Sequence, residues 1–216
     1  MSGTHHRAKL PAALMALALT SIAGATTILN PSFEAPVQSP TSFTYDPSLG
    51  ASFWNFAGQS GVAAEGSPWF SVAPPDGTQA AFLQVSGTAA TTDFISQSLT
   101  GFNVGDVYQF TFYAAQRPGF AANDFNVLLG STVIDHVTPG STSFVQFTAS
   151  PTIASSSSMT LTFQALNTAN AGDADAIIDL VQVQDLGLPV VPEPASFFLL
   201  GPGIAGLFWL SRRKRA

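Results

Sequence analysis

Two short stretches constrain this chain more than anything else in it: MTLTFQA at 159–165 and YQFTFYA at 108–114. In the first, Met159, Leu161 and Phe163 alternate with Thr160, Thr162 and Gln164; in the second, Tyr108, Phe110 and Phe112 fall on one side. A repeat of two sends alternate side chains to opposite faces of an extended backbone, so each stretch reads as a strand with one face in a core. No segment from Thr26 to Asp185 sustains the apolar stripe of a surface helix. Strands are expected at 53–57, 80–85, 94–99, 107–115, 123–129, 143–149, 159–165 and 176–183. Turn chemistry separates them at Pro75-Asp76-Gly77, 103–106, Pro118-Gly119, Pro139-Gly140 and 155–158. Short strands joined by polar loops describe an all-β fold, an antiparallel β-sandwich of the jelly-roll kind.

The two ends read differently. Arg7 and Lys9 precede an apolar run at 10–22, and Ala23-Gly24-Ala25 follows. Charge, apolar core and small residues in that order make a secretory signal helix at 1–25, with cleavage expected after Ala25. At the other end, residues 195–210 carry no charge, and at about 1.5 Å per residue they form an apolar helix of roughly 24 Å. That is slightly short for a bilayer core. Arg212, Arg213, Lys214 and Arg215 behind it would hold the chain end on the cytoplasmic side. The expected organisation is a signal peptide at 1–25, a β-sandwich at 26–186, a stiff linker at 187–194 containing Pro192-Glu193-Pro194, and a transmembrane helix with a basic tail at 195–216.

Removing both ends exposes a very acidic body. Between Thr26 and Pro194, Arg117 stands alone against all 13 Asp and Glu, a formal charge of −12. Such a surface repels phosphate backbones, so nucleic acid is excluded as a partner, while divalent cations are favoured. Cysteine is absent, so neither a disulfide nor a thiol nucleophile is available. His5 and His6 leave with the leader, His136 is the one imidazole of the body, and the body has no lysine. A nucleophilic triad, a Schiff base and the usual zinc ligand set are therefore disfavoured. A pair of carboxylates would suffice for a glycosidase, but no acid stands in a catalytic motif and no catalytic residue is assigned. Asp173, Asp175 and Asp179, which follow Asn167 and Asn170, lack the spacing of a calcium-binding loop and read as a solvated loop.

Sugar binding without chemistry needs aromatic faces flanked by polar groups. Tyr45, Trp54, Trp69 and Phe70 cluster in the first third of the body, where FWNFAGQSGVAAEGSPWF alternates aromatics with Asn, Gln and Glu. Tyr45, Trp54, Trp69 and Arg117 are the candidate ligand-binding residues. The competing reading places Trp54 in the core, uses Trp69 to plug one end of the sandwich, and pairs Arg117 with a nearby acid.

Val191-Pro192-Glu193-Pro194, the apolar helix and the run at 212–215 together closely resemble the PEP-CTERM sorting signal of Gram-negative bacteria. The resemblance implies an exosortase, a membrane transpeptidase that cuts near Pro-Glu-Pro and passes the protein to the exterior, often alongside exopolysaccharide. More loosely, NPSFE at 30–34, PDGTQAAFLQ at 75–84, GDVYQFTFYA at 105–114 and AIIDLVQV at 176–183 resemble the galactose-binding-like jelly rolls found among carbohydrate-binding modules. That resemblance implies a structural calcium ion shared by Glu34 and Asp179, its shell completed by backbone carbonyls. The alternative leaves Glu34 in a solvated turn and Asp179 on a strand surface.

The sequence thus points to an exported, non-enzymatic protein of the cell surface or extracellular matrix, held in the membrane during transit and associating with exopolysaccharide or other glycans. A polysaccharide hydrolase or lyase and a purely structural surface protein are the alternatives.

Overall fold

A computed structural model describes residues 25–86, 93–166 and 173–189. The expected leader ahead of Ala25, the Pro-Glu-Pro motif, the apolar helix at 195–210 and the basic tail lie outside the described residues. Among the described residues no helix is long and apolar enough to cross a membrane.

The chain forms β1 (Phe43–Tyr45), a single helical turn α1 (Leu49–Ser52), β2 (Asn55–Ala57), β3 (Gln59–Ala64), β4 (Gln79–Ser86), β5 (Phe94–Thr100), β6 (Val107–Gln116), β7 (Ala121–Ala122), β8 (Asp124–Leu129), β9 (Thr132–Val137), β10 (Val145–Thr148), β11 (Thr152–Ile153), β12 (Ser158–Leu166) and β13 (Asp173–Gly187). An eight-stranded sheet runs β1-β3-β4-β13-β6-β10, with β11 on β6 and β7 on β13; a five-stranded sheet runs β2-β5-β12-β8-β9. All pairings are antiparallel except the short β7–β13 contact. This is the jelly-roll sandwich that the alternating pattern implies.

The main core lies between the sheets. Leu161 and Phe163 of β12 face Phe110 and Phe112 of β6, all fully buried. The larger sheet also buries part of its outer face. Phe82 and Ile177 alternate in sequence with core-facing Leu83 and Ile178, and join Ala63, Trp69, Phe70, Ala80 and Ala115 in a second apolar cluster. Because both faces of β13 are covered, its residues 174–179 are continuously buried. The Asp173–Asp179 stretch is therefore not the solvated loop expected from its composition. It is the start of the central strand of the larger sheet.

Candidate functional site

The outer face of the larger sheet gathers the chemistry. Gly61 of β3 pairs with Tyr45 of β1 and Phe82 of β4. A Cβ on Gly61 would stand 2.2 Å from Thr44 O and 2.6 Å from Phe82 Cζ; only glycine lets the Phe82 ring lie across the strand at this point. Trp69 stacks on that ring at 3.7 Å with an interplanar angle of 11°. Its loop is folded back by Gly66 N–H donating to Phe70 O at 3.1 Å. Tyr45 stands edge-on to Phe82 at 5.1 Å, and its hydroxyl donates to Gln84 Oε1 at 2.8 Å.

Arg117 joins this shelf from the end of β6. Its guanidinium carbon lies 4.3 Å from the Trp69 ring and 3.7 Å from the Phe120 ring, in cation–π contact with both. Nε donates to Pro68 O at 2.9 Å and Nη1 to Asp175 Oδ2 at 3.3 Å. Asp175, opposite Gln84 on β13, is fully buried, and its Oδ1 has no hydrogen-bond partner. Burial pushes its carboxyl up to about 6, against the pull of Arg117.

That shift has a pH signature. The folded state holds the Asp175 proton more tightly than the unfolded chain, so the contribution is full below about pH 4 and is lost as pH rises through about 6. Arg117→Ala removes the charge that lowers the value and leaves Oδ2 without its donor. We expect the variant to lose about 1–3 kcal/mol at pH 8 and clearly less at pH 5, read from urea midpoints. Equal losses at both pH values would assign Arg117 to packing against Trp69 and Phe120 alone.

A second group of acids lies further along β13. Glu34 Oε1 accepts the N–H groups of Thr78 and Gln79, each at 2.8 Å. Gly77 between the strands has φ +69°, and a Cβ there would stand 2.3 Å from Glu34 Cδ, so the turn needs glycine on both counts. Ser32 Oγ donates to Asp76 Oδ2 at 2.6 Å, and Asp76 N–H donates to Asp179 Oδ2 at 3.1 Å. Asp179 is fully buried with Oδ1 unpartnered. Burial above all, with the charges of Asp76 and Glu34 adding to it, pushes its carboxyl up to about 8.

A buried acceptor oxygen facing other acids fits a hard cation. Glu34 fits less directly, since Oε1 already serves two backbone donors. Among the described residues no three His, Cys, Asp or Glu stand in a metal-holding group, so backbone carbonyls would supply the remaining oxygens.

The sequence candidates separate in space. Tyr45, Trp69 and Arg117 share the shelf, and Trp69 caps the sheet face rather than one end of the sandwich. Trp54 is elsewhere: fully buried in the main core, with Nε1 donating to Asn30 O at 3.0 Å, it offers no face to a ligand. His136 is exposed on β9, Nδ1 3.2 Å from Asn126 Oδ1. Phe82, Gln84, Phe120 and Asp175 complete the shelf without having been singled out as sugar contacts. Only the aromatic content of 80–85 and AAQRPGF hinted at them, because their meeting depends on the pairing of β4 with β13.

No curated protein matches the chain. Among solved structures, the chain is similar to a cyclase from Fischerella sp. TAU in complex with 4-(1H-indol-3-yl)butan-2-one, with 17% identity and a TM-score of 0.56 over 77% of this chain and 100% of that one. At that identity the likeness is one of fold. Weaker likenesses are to TmCBM61 in complex with β-1,4-galactotriose, with 15% identity and a TM-score of 0.49 over 75% of this chain and 99% of that one, and to the CBM22-1 xylan-binding domain of Paenibacillus barcinonensis Xyn10C, with 16% identity and a TM-score of 0.47 over 63% and 87%. Residues 190–214 match the PEP-CTERM protein-sorting motif, so the chain joins a jelly-roll body to that sorting motif.

Proposed function

We propose that the protein is exported, passed through its sorting motif to an exosortase-type membrane transpeptidase, and binds glycans at the cell surface or in the extracellular polysaccharide without altering them chemically. The sorting motif at 190–214 supports export. The observation that carries glycan binding is the shelf: Tyr45 and Phe120 are 44% and 37% exposed, as is Phe43 at 41%, which stands edge-on to Trp69 at 5.9 Å; Phe120 lies against Arg117 of the Arg117–Asp175 pair, and Tyr45 bonds Gln84. Exposed rings present an apolar face to a pyranose, and the polar groups beside them fix its hydroxyls.

The test is affinity electrophoresis of the full chain through gels containing the host's exopolysaccharide. Tyr45→Ala is expected to weaken retardation about threefold to tenfold, the equivalent of one lost stacking contact. No retardation by any polysaccharide would leave a purely structural surface protein. Turnover of the polysaccharide, abolished by Asp175→Asn, would replace binding with hydrolase or lyase chemistry.

A calcium ion belongs to the same reading. Asp179 would hold it with Glu34 and nearby carbonyls, about six to eight oxygens in all. Holding such an ion would neutralise the buried Asp179 carboxylate and would tie the segments around Glu34 and Asp76 to β13.

A further inference from the structure

We propose a second glycan subsite, specific for uncharged chains, in the groove that opens where β13 leaves its bulge; it rests on the glycan-binding reading above. The register of β13 against β6 shifts between Asp179 and Gln182, with Leu180 at φ 47°. Beyond the shift, Gln182 stands opposite Thr111 and Gln184 opposite Gln109. Cross-strand partners are roughly 5 Å apart and successive pairs on one face about 7 Å apart along the strand, so the four side chains make a small polar lattice. With Thr26 and Thr27 on the other side, they line a groove of about 400 Å³, within the usual size of a ligand site.

Two features identify the occupant. None of the residues lining the groove carries a charge, although the body around it has a formal charge of −12. The groove therefore offers no side-chain cation to a carboxylate or sulfate, and the field of the acidic body repels both. Its amides are also largely uncommitted. Interior Gln97 accepts from Leu29 N–H at 2.8 Å and donates to Leu29 O at 2.9 Å and Phe53 O at 3.1 Å. In the groove, Gln109 Nε2 reaches Ala149 O only at 3.4 Å, and Thr111 Oγ1 lies 3.5 Å from Gln182 Oε1. Gln184, exposed, makes no side-chain hydrogen bond among the described residues. Each primary amide offers donors and an acceptor side by side, the complement of neighbouring hydroxyls on a neutral sugar chain.

The test is calorimetric titration of the full chain with two probes, a neutral β-1,4-linked glucose hexasaccharide and a uronic-acid hexasaccharide of equal length. The neutral probe is expected to bind more tightly, and Gln182→Ala/Gln184→Ala to weaken it at least tenfold, with the thermal midpoint unchanged because both side chains are exposed. Tyr45→Ala is expected to retain a groove-dependent component, and the side-chain amide NMR signals of Gln182 and Gln184 to shift on adding the neutral probe. Neutral binding unchanged in the double variant overturns the groove while leaving the shelf standing. Equal affinity for the uronic-acid probe overturns its preference for uncharged chains. Failure of the parent protein to bind either probe overturns the groove, while the glycan reading falls only if the exopolysaccharide gels also show no retardation.

Discussion

Trp54→Ala is expected to cost about 3–5 kcal/mol of folding stability, against a total of about 5–15 kcal/mol for a domain of ordinary stability. The indole is fully buried, 5.0 Å from the Phe33 ring and 6.2 Å from that of Phe163. Truncation leaves a cavity in the packing between the sheets and removes the donor to Asn30 O. Asn30 in turn uses its side-chain amide to hold the carbonyls of Ala35 and Ser52, so the damage reaches the segment carrying Glu34. Trp54→Phe keeps most of the volume and should recover more than half of the loss. Urea unfolding at pH 7 decides the matter, with Tyr45→Ala as the control: its ring is 44% exposed, and its loss should stay near 1 kcal/mol. A loss below about 1 kcal/mol for Trp54→Ala would mean that the indole is not part of the core.

The same pair of residues shows what the sequence could and could not convey. Tyr45 and Trp54 both lie in the aromatic-rich first third of the body; Trp54 falls in the strand expected at 53–57, whose pattern left both a core and a ligand-binding reading open. The setting of Tyr45 depends on Gly61, whose missing side chain lets Phe82 and Trp69 cover the outer sheet face beside it, whereas Trp54 packs between the sheets against Phe33 and Phe163. Strands with one buried face were readable, because burial alternates along β12 and along β6 from Val107 to Ala114. β9 was not expected from the sequence; it is joined to β8 by the two-residue Gly130-Ser131 link, with Gly130 at φ 61°, a short hairpin connection. β13 was harder: burial on both faces erases alternation at 174–179, and acids at Asp173, Asp175 and Asp179 mimic a solvated loop. Those acids are tolerated there because Arg117 reaches Asp175 and the Asp76 N–H reaches Asp179, contacts spanning 58 and 103 residues of chain.

Chelation should lower the thermal midpoint at pH 8 by roughly 5–10 °C, because an ion bound only to the folded state at about a hundred times its dissociation constant adds roughly 2.7 kcal/mol. The pH dependence separates this from an ion-free fold. With its carboxyl pushed up to about 8, Asp179 without an ion contributes fully below about pH 4 and loses that contribution as pH rises through about 8, so the chelated protein weakens across that window. Calcium needs the deprotonated carboxylate and reverses the slope: its effect should be large at pH 8 and small at pH 5. Asp179→Asn removes both behaviours, the titration and the ion's charged ligand, and should give a midpoint insensitive to chelator and nearly flat in pH from this group. Glu34→Gln should weaken the calcium effect without abolishing it, since Oε1 also anchors the Thr78 and Gln79 N–H groups. A chelator shift that survives Asp179→Asn would place the ion elsewhere. No shift in the parent protein, together with a midpoint that falls toward pH 8, would leave Asp179 as a buried neutral acid whose Oδ1 has no ion to serve.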